Sequence, residues 1–406
     1  MSEGQSPGRM FIVALAAVTA IGPLAIHFYL PAIPAVRLDF GIDAPTAQLA
    51  FSVTLLTMAV TTLIYGPLSD RLGRRPVLVG GFVLFVVGSG ACAIAPNIET
   101  LVGARLIQGI GAACSLVIAR AIARDLYDLD QLVKVMAYLT MAYVLGPMLA
   151  APVGGVLVDR FGWRSIFVFA AVAGAMILAL MVVVLRETHT RPVDAPHRLN
   201  ALQGYVRLLR IPVFCGYVLQ PGFSSGAFFA HATMASILMT GVLQRPASEF
   251  GLYFMLFPLG FMAGNFISSR LSGRVPIDVM VFAGGVIIIA ACSSLAISIA
   301  VLDVTPLGLF LPGFLQTLGQ GVSLPNAQTG ALSIDRHLAG TAAGITVFSQ
   351  LFLGAALSML VGALADGSTW PMTVVVMCGG TTSFAASVIP VFVHYRERRR
   401  AAAAPR

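Results

Sequence analysis

The sequence has little charge for its length. Only 10% of its 406 residues are Asp, Glu, Lys or Arg, against about 25% in a soluble domain. The apolar residues make up 58% of the chain and come in stretches of twenty or more. A helix of that length crosses the roughly 30 Å hydrocarbon layer of a bilayer. The composition therefore excludes a water-soluble fold and predicts a multi-span α-helical membrane protein.

The sequence also lacks the patterns of metal, disulfide and catalytic sites. Its five cysteines lie in separate apolar stretches with no CxxC, so we expect neither disulfides nor a metal site. No HExxH, nucleophile triad or phosphate-binding loop is present, and the loops are too short for a sizeable soluble domain. We therefore expect no enzyme activity and no cofactor. The basic residues are scattered between apolar stretches, which argues against nucleic acid and favours a topological role.

Twelve apolar stretches, separated by charged, Pro or Gly clusters, predict twelve transmembrane helices. The first is too long for a signal peptide and is expected to stay as a signal anchor. The expected spans are residues 10–36, 46–68, 77–95, 100–123, 132–158, 165–185, 212–241, 249–268, 278–301, 306–333, 340–365 and 372–394.

The distribution of basic residues predicts the orientation in the membrane. Nearly all Lys and Arg fall in segments on the side of the amino terminus, and the other side holds only Arg37, Arg160, Arg164 and Arg245. Because positive residues mark the cytoplasmic side, both termini are expected in the cytoplasm. We expect a monomer in a bacterial inner membrane.

The two halves of the chain repeat one another. Gly155, Leu157, Asp159 and Trp163 at the end of the fifth span recur in the same order at the end of the eleventh, as Gly362, Leu364, Asp366 and Trp370. Six spans separate the copies, so both halves share one orientation. We expect two pseudo-symmetric six-helix bundles at 1–185 and 212–395, a cytoplasmic linker at 186–211 and a basic tail at 396–406.

The loop after the second span carries the most specific motif, Gly-Pro-Leu-Ser-Asp-Arg-Leu-Gly-Arg-Arg-Pro from Gly66 to Pro76. It resembles the loop signature of the major facilitator superfamily, which implies a transporter that works by alternating access. A charge cluster at this loop is expected to latch the protein in one state; the alternative is an ordinary positive-inside loop. The expected latch residues are Gly66, Asp70, Arg71, Gly73, Arg74, Arg124 and Asp125.

The fourth span contains Arg105 followed by Gln108 and Gly109, which resembles a second signature of the same superfamily. A guanidinium within a span costs about 2.5 to 3.5 kcal/mol on insertion scales, so it is kept away from lipid and marks a transport pathway. The alternative is a structural anchor that donates to backbone carbonyls of the first span.

The first and fifth spans narrow the resemblance to one branch. The run with Gly146, Pro147, Pro152, Gly154 and Gly155 resembles the antiporter motif of drug/proton exchangers, and its small residues permit tight helix packing. The end of the first span, His27-Phe-Tyr29-Leu-Pro-Ala, resembles the bicyclomycin and chloramphenicol resistance branch of those exchangers. The resemblance covers nearly the whole chain and implies proton-coupled export of drug-like small molecules.

One departure from that branch concerns the proton site. The branch has an Asp where this chain has His27, and every acidic residue of the sequence falls at a predicted span end or in a loop. Imidazole, with an ordinary pKa of about 6.5, is the other group that exchanges protons near physiological pH. His27 and its counterpart His231 in the seventh span are therefore candidate proton carriers; the alternative is a neutral histidine that orients substrate.

Polar side chains within spans complete the expected pathway, because lipid cannot satisfy them. The candidates are His27, Tyr29, Arg105, Gln108, Tyr143, His231 and Asn326. With Arg105 present and no buried acid, a neutral or weakly anionic substrate such as a phenicol fits better than a lipophilic dication. The alternative function is export or facilitated passage of an endogenous metabolite without obligatory proton coupling, since fold does not decide substrate.

Overall fold

The computed structural model describes residues 9–185, 187–188, 201–301, 304–335, 338–364 and 368–403. Helices are the regular secondary structure of these residues, with no strand among them, which confirms the predicted all-α class. Part of the predicted linker and the end of the predicted basic tail lie outside the described residues, as does Asp366.

The helices of the first part of the chain are α1 (Arg9–His27), α2 (Ile33–Phe40), α3 (Ala44–Leu72), α4 (Arg74–Ala93), α5 (Ile98–Leu126), α6 (Leu129–Phe161) and α7 (Arg164–Val184). Those that follow are α8 (Ala201–Leu209), α9 (Pro212–Gly241), α10 (Ala247–Phe254), α11 (Leu256–Leu271), α12 (Ile277–Val301), α13 (Pro306–Ser333), α14 (Ala339–Ala363) and α15 (Trp370–Ala403). A short 3-10 helix, Leu30–Ala32, connects α1 to α2.

Ten helical segments of the described residues are long and apolar enough to cross a membrane. Helices α9 and α13, at the predicted seventh and tenth spans, have 30 and 28 residues, which at 1.5 Å per residue is also sufficient. The predicted architecture of twelve spans is confirmed.

Two predicted spans are broken rather than continuous, and proline is the physical reason. Helix α1 ends at His27 because Pro31, four residues later, has no N–H to donate to the His27 carbonyl. In the same way Pro258 leaves the Phe254 carbonyl without its helical donor, and α10 ends there. His27 therefore occupies a helix end rather than a helix interior.

Contacts divide the chain into two compact units. The first comprises Met1–Asp194 and Ser236–Met255, and the second comprises Ala195–Ala235 and Leu256–Arg406. In the first unit α5 packs on α3 and α4, and α6 packs on α1 and α10. In the second unit α13 packs between α11 and α12, and α12 also packs on α15.

Glycines bring helices close together inside each unit. A Cβ at Gly111 of α5 would collide with the backbone of Phe85 on α4, and a Cβ at Gly319 of α13 would lie 2.8 Å from the carbonyl oxygen of Gly284 on α12. Such helix pairs approach closely only because no side chain stands between them. These contacts set the close spacing of α4 from α5 and of α12 from α13.

Candidate functional site

The first polar cluster surrounds Arg105, which is fully buried about two turns after the start of α5. Its Nη1 donates to the carbonyl of Ala25 at 3.0 Å and to Gln108 Oε1 at 2.5 Å, and its Nε donates to the carbonyl of Ala50 at 3.2 Å. The guanidinium also lies 4.7 Å from the ring centroid of Tyr29. Backbone dipoles and an aromatic face thus stabilise this charge, and no carboxylate of the described residues pairs with it.

The cluster extends to a fourth helix through Gln108. The Gln108 amide Nε2 donates to Ser89 Oγ on α4 at 2.8 Å, while the Tyr29 hydroxyl donates to the Ala47 carbonyl on α3 at 3.2 Å. Arg105 Nη2 has no protein acceptor. The structure therefore contains the hydrogen bond to the first span that a structural anchor requires, and it also leaves one buried donor for a further acceptor.

His27 lies at the end of α1 in the same unit. Its Nδ1 is 2.8 Å from the carbonyl of Pro23, one turn earlier in α1. Its ring centroid is 5.7 Å from that of Phe254. A neutral imidazole that donates from Nδ1 to its own helix accounts for this hydrogen bond.

Two predicted pathway residues lie apart from these groups. Tyr143 on α6 is about one-third exposed, with no hydrogen bond to the Arg105 cluster among the described residues. Asn326 on α13 donates to Ser268 Oγ on α11 at 2.7 Å and to the carbonyl of Val322 at 2.8 Å. Its contacts are those of a residue that ties α13 to α11.

His231, in the second unit, is fully buried on α9 between two acceptors from α13. Its Nε2 lies 2.9 Å from the carbonyl oxygen of Leu309, and its Nδ1 lies 3.2 Å from Gln316 Oε1. The ring packs edge-on against Phe257 of α11. The predicted counterpart of His27 thus has a different hydrogen-bond environment.

Sequence reasoning missed two buried side chains on α3. Both amide atoms of Gln48 and the hydroxyl of Ser52 are buried without a protein hydrogen-bond partner. The two residues lie one helical turn apart, so they share a face. Their spacing is a signal that the sequence contains, although Gln and Ser are common enough in spans to be passed over.

The latch residues gather around Arg74, which is only 3% exposed. Its guanidinium lies 2.8 Å from Asp70 Oδ1 and 2.9 Å from Asp125 Oδ2, and it donates to Ser69 Oγ. This cluster connects the loop after α3 to the end of α5. Arg71 and Arg124, predicted for the same cluster, are exposed at the surface.

Gly73 has two reasons to be glycine. Its φ of +100° is one that other residues rarely adopt, and a Cβ there would lie 2.6 Å from Glu187 Oε2. The Glu187 carboxylate accepts from the backbone N–H groups of Arg74 and Arg75, at 2.9 and 3.2 Å, and so caps the first turn of α4. By contrast, a Cβ at Gly66 would meet nothing within 4 Å, so no close helix approach requires glycine there.

The antiporter motif of α6 faces α1 and α10. Cβ atoms at Gly146 and Gly154 would lie 3.1 Å from Pro23 and 3.0 Å from Phe28, and a Cβ at Gly155 would collide with the carbonyl oxygen of Ala247. Pro147 and Pro152 lie inside α6, which continues through both.

The end of α6 also caps α10. Asp159 Oδ1 accepts from the N–H of Ala247 at 3.0 Å, and its Oδ2 accepts from the N–H of Ser248 at 2.8 Å. Nearby, Ser236 Oγ donates to the carbonyl of Leu30 at 2.6 Å. Together with the Gly155 contact, these bonds fasten residues 236–255 to the first unit.

Twelve helical spans with buried polar clusters define a multi-pass membrane protein. The model of the Major Facilitator Superfamily matches residues 14–359. The chain belongs to this superfamily of transporters, and its relatives confirm the resemblance to the bicyclomycin and chloramphenicol resistance branch.

The chain is similar over most of its length to curated bacterial proteins. It is 26% identical to a bicyclomycin resistance protein homolog of Haemophilus influenzae, with 95% of each chain covered. It is 30% identical to multidrug resistance protein D of Escherichia coli, with 82% of this chain and 84% of the relative covered. It is also 30% identical to a chloramphenicol resistance protein of Pseudomonas aeruginosa, with 89% and 86% covered.

Solved structures share the fold. A peptide transporter POT in complex with sulfate gives a TM-score of 0.76 at 14% identity, covering 95% of this chain and 94% of that one. A bacterial homolog of the human lysosomal transporter Spinster, inward-facing and unoccupied, gives 0.73 at 16% identity, covering 96% of both chains.

Proposed function

We propose that this protein exports drug-like small molecules from the bacterial cytoplasm by alternating access, driven by proton entry. The substrates favoured are neutral or weakly anionic. In this proposal the protein works as a monomer in the inner membrane with both termini in the cytoplasm. Drug resistance in the names of its relatives supports the substrate class.

The observation that carries the proposal is the buried charge of Arg105. Its stabilising partners are carbonyl groups, an amide and an aromatic ring, so its positive charge is not neutralised. In a medium of low dielectric such a charge repels a lipophilic cation strongly. Its Nη2 donor is free to bind an acceptor oxygen of a neutral or weakly anionic molecule.

Proton entry is assigned to the histidines because the described spans contain no acid away from their ends. His27 and His231 are the ionisable side chains there whose ordinary pKa, about 6.5, suits proton exchange near neutrality. We further propose that the Arg74 cluster is the conformational latch of the first unit. Its buried guanidinium and two partner carboxylates form a discrete arrangement that a conformational change would have to break.

An accumulation assay tests this function. The chain is expressed in an efflux-deficient bacterial host, and uptake of chloramphenicol and of the cationic dye ethidium is measured with and without a protonophore. We expect lower chloramphenicol accumulation, restored by the protonophore, and little effect on ethidium. Unchanged accumulation of every compound would refute drug export. Transport that the protonophore does not change would favour the alternative function, export or facilitated passage of an endogenous metabolite without obligatory proton coupling.

Variants of Arg105 connect this result to the site. Arg105→Gln removes the charge, whereas Arg105→Lys keeps the charge but lacks the planar fork that serves three acceptors. We expect Arg105→Gln to lose chloramphenicol export at unchanged membrane levels, with partial activity in Arg105→Lys. Arg37→Gln, which removes an exposed arginine of α2, is the matched control.

A further inference from the structure

The hydrogen bonds of His231 do not fit a neutral imidazole as they stand. A neutral ring has one N–H and one lone pair, yet both ring nitrogens face oxygen acceptors, the Leu309 carbonyl and Gln316 Oε1. The carbonyl can only accept, so Nε2 carries a hydrogen in every case. The arrangement around Nδ1 therefore depends on how many protons the ring holds.

The Gln316 amide can serve both protonation states. As it stands, Oε1 accepts from an Nδ1–H, which makes the ring an imidazolium with two acceptors. If the amide turns by half a rotation, its Nε2–H donates to the Nδ1 lone pair of the neutral ring. Gln316 Nε2 is buried and has no other protein partner in the observed orientation, so the rotation breaks no second hydrogen bond of that nitrogen.

Among the described residues of the second unit, no charged side chain lies near His231. Helix α9 packs against α13, α14 and α15, and Phe257 of α11 lies on the ring. Helices α13 and α14 contain no ionisable side chain at all. The remaining ionisable residues of α9, α11, α12 and α15 up to residue 396 are Cys215, Tyr217, Arg270, Asp278, Cys292, Cys378, His394, Tyr395 and Arg396. Further ionisable residues follow Arg396 in the basic tail.

Those charges lie far from His231 along the helices. Tyr217, which bonds the Asp278 carboxylate, is fourteen residues before His231 on α9, or about 21 Å along the axis. His394 pairs with the same carboxylate, and Arg270 is thirteen residues, or about 20 Å, from Phe257 on α11. Burial opposes the imidazolium, and the acceptors that offset this cost come from Leu309 and Gln316.

We infer that His231, rather than His27, takes up the transported proton, and that Gln316 is its positioning residue. This inference rests on the proposed proton-coupled export. On loading, a proton adds to the Nδ1 lone pair and Gln316 presents Oε1. On release, the same Nδ1–H leaves to water and Gln316 presents its Nε2–H, while Nε2–H of the imidazole stays on Leu309. His27 differs because its Nδ1 bond to Pro23 is one that a neutral ring makes.

Nuclear magnetic resonance of the full chain with ring-¹⁵N histidine tests the two states directly. The His231→Asn variant assigns the signal among the six histidines. Between about pH 8 and pH 5 we expect His231 to convert reversibly from the Nε2–H tautomer to the imidazolium. Absence of any imidazolium at His231 over the pH range in which the protein stays folded would overturn the inference.

Two glutamines one turn apart on α13 provide a matched pair of variants. Gln316→Leu removes the acceptor of Nδ1, and we expect the ratio of imidazolium to neutral imidazole at a given pH to fall about tenfold, the effect of losing one hydrogen bond to a charged group. Gln320 donates to Ser225 Oγ at 2.9 Å instead, so Gln320→Leu should leave the titration of His231 unchanged. Equal effects of the two variants would contradict a positioning role for Gln316.

Proton flux in proteoliposomes, with chloramphenicol as the probe, separates the inference from the proposed function. We expect His231→Asn to abolish chloramphenicol-driven proton movement. His27→Asn should keep the number of protons moved per chloramphenicol, at whatever rate it transports. Coupled flux that survives in His231→Asn overturns the inference and leaves proton-coupled export intact. Wild-type export with no proton flux refutes the coupling, and with it the assignment of His231 to transport. If His231→Asn does not fold, Gln316→Leu provides the test instead, because it keeps the imidazole. We expect this variant to lose chloramphenicol-driven proton movement at acidic pH.

Discussion

The cap that Asp159 places on α10 predicts a measurable loss of local stability in Asp159→Asn. Both carboxylate oxygens accept backbone N–H groups, those of Ala247 and Ser248. An asparagine of the same size keeps one acceptor oxygen and turns an NH₂ group toward the other N–H. It also removes a negative charge from the positive end of a helix.

The expected magnitude follows from these two losses. An N-cap bond contributes about 0.5 to 2 kcal/mol, and a charge at a helix terminus about 0.3 to 1 kcal/mol when exposed. Because Asp159 is exposed, we expect about 1 to 2 kcal/mol, weakened by salt. Hydrogen exchange of the α10 amides should therefore accelerate roughly five- to thirty-fold where local opening governs exchange.

Hydrogen exchange by mass spectrometry on the detergent-solubilised chain measures this effect. Peptides that cover 247–254 report on the cap, and peptides of α12 report on global stability. Asp43→Asn is the control, because Asp43 also caps a helix through a backbone N–H but caps its own helix, α3. Exchange at α10 that is equal in wild type and Asp159→Asn would refute the idea that Asp159 fastens α10 to α6.

Three further predictions follow from the first unit. Arg74→Ala removes the buried guanidinium that Asp70 and Asp125 share, whose side chains are 30% and 19% exposed. We expect the free energy of unfolding to fall by about 1 to 3 kcal/mol, less than for fully buried charges because water screens the carboxylates; a lower thermal unfolding midpoint measures this, with little change in the exposed Arg71→Ala. Gly155→Ala places a Cβ against the backbone of α10, so we expect about 1 to 3 kcal/mol of destabilisation, whereas Gly80→Ala, which meets nothing within 4 Å, should be neutral or stabilising in the same assay. Hydrogen bonds within the α3 cap lower the pKa of Asp43 below its ordinary value, so the stability that separates wild type from Asp43→Ala should be present above about pH 4 and disappear as the pH falls through the lowered pKa.

The fold was predictable because its signal is local. Each span is a long apolar run, and the bilayer thickness sets its length. The breaks at His27 and Phe254 were not predicted, although Pro31 and Pro258 mark them in the sequence. Proline within a span bends some helices and ends others, and the outcome depends on whether the freed carbonyl finds another environment.

The candidate site was predictable only in part. The burial of Arg105 follows from the cost of a charge in lipid, and its hydrogen bond to the first span is the one that the structural-anchor alternative requires; its role in the pathway stays a prediction. Two contacts could not be predicted from the sequence: that of Glu187 with the turn at Gly73 and Arg74, and that of Asp159 with α10. Glu187 lies 113 residues from Arg74, and Ala247 lies 88 residues from Asp159. No local pattern records such pairs, which arise only when the helices pack.

A proton site at a histidine, as we propose for His231, differs from one at a carboxylate in the substrates that can compete with the proton. A carboxylate alternates between charges of minus one and zero, so a proton and a cationic drug replace each other on it. An imidazole alternates between zero and plus one, so its loaded state repels a cation and its neutral state offers a cation no negative charge to pair with. A neutral molecule with a hydroxyl or amide N–H would compete for the Nδ1 lone pair with the proton and with the Gln316 Nε2–H. A weak anion would be attracted by the loaded imidazolium rather than displaced by it. If protons enter through His231 as we propose, antiport favours the neutral hydrogen-bond donors among the proposed substrates.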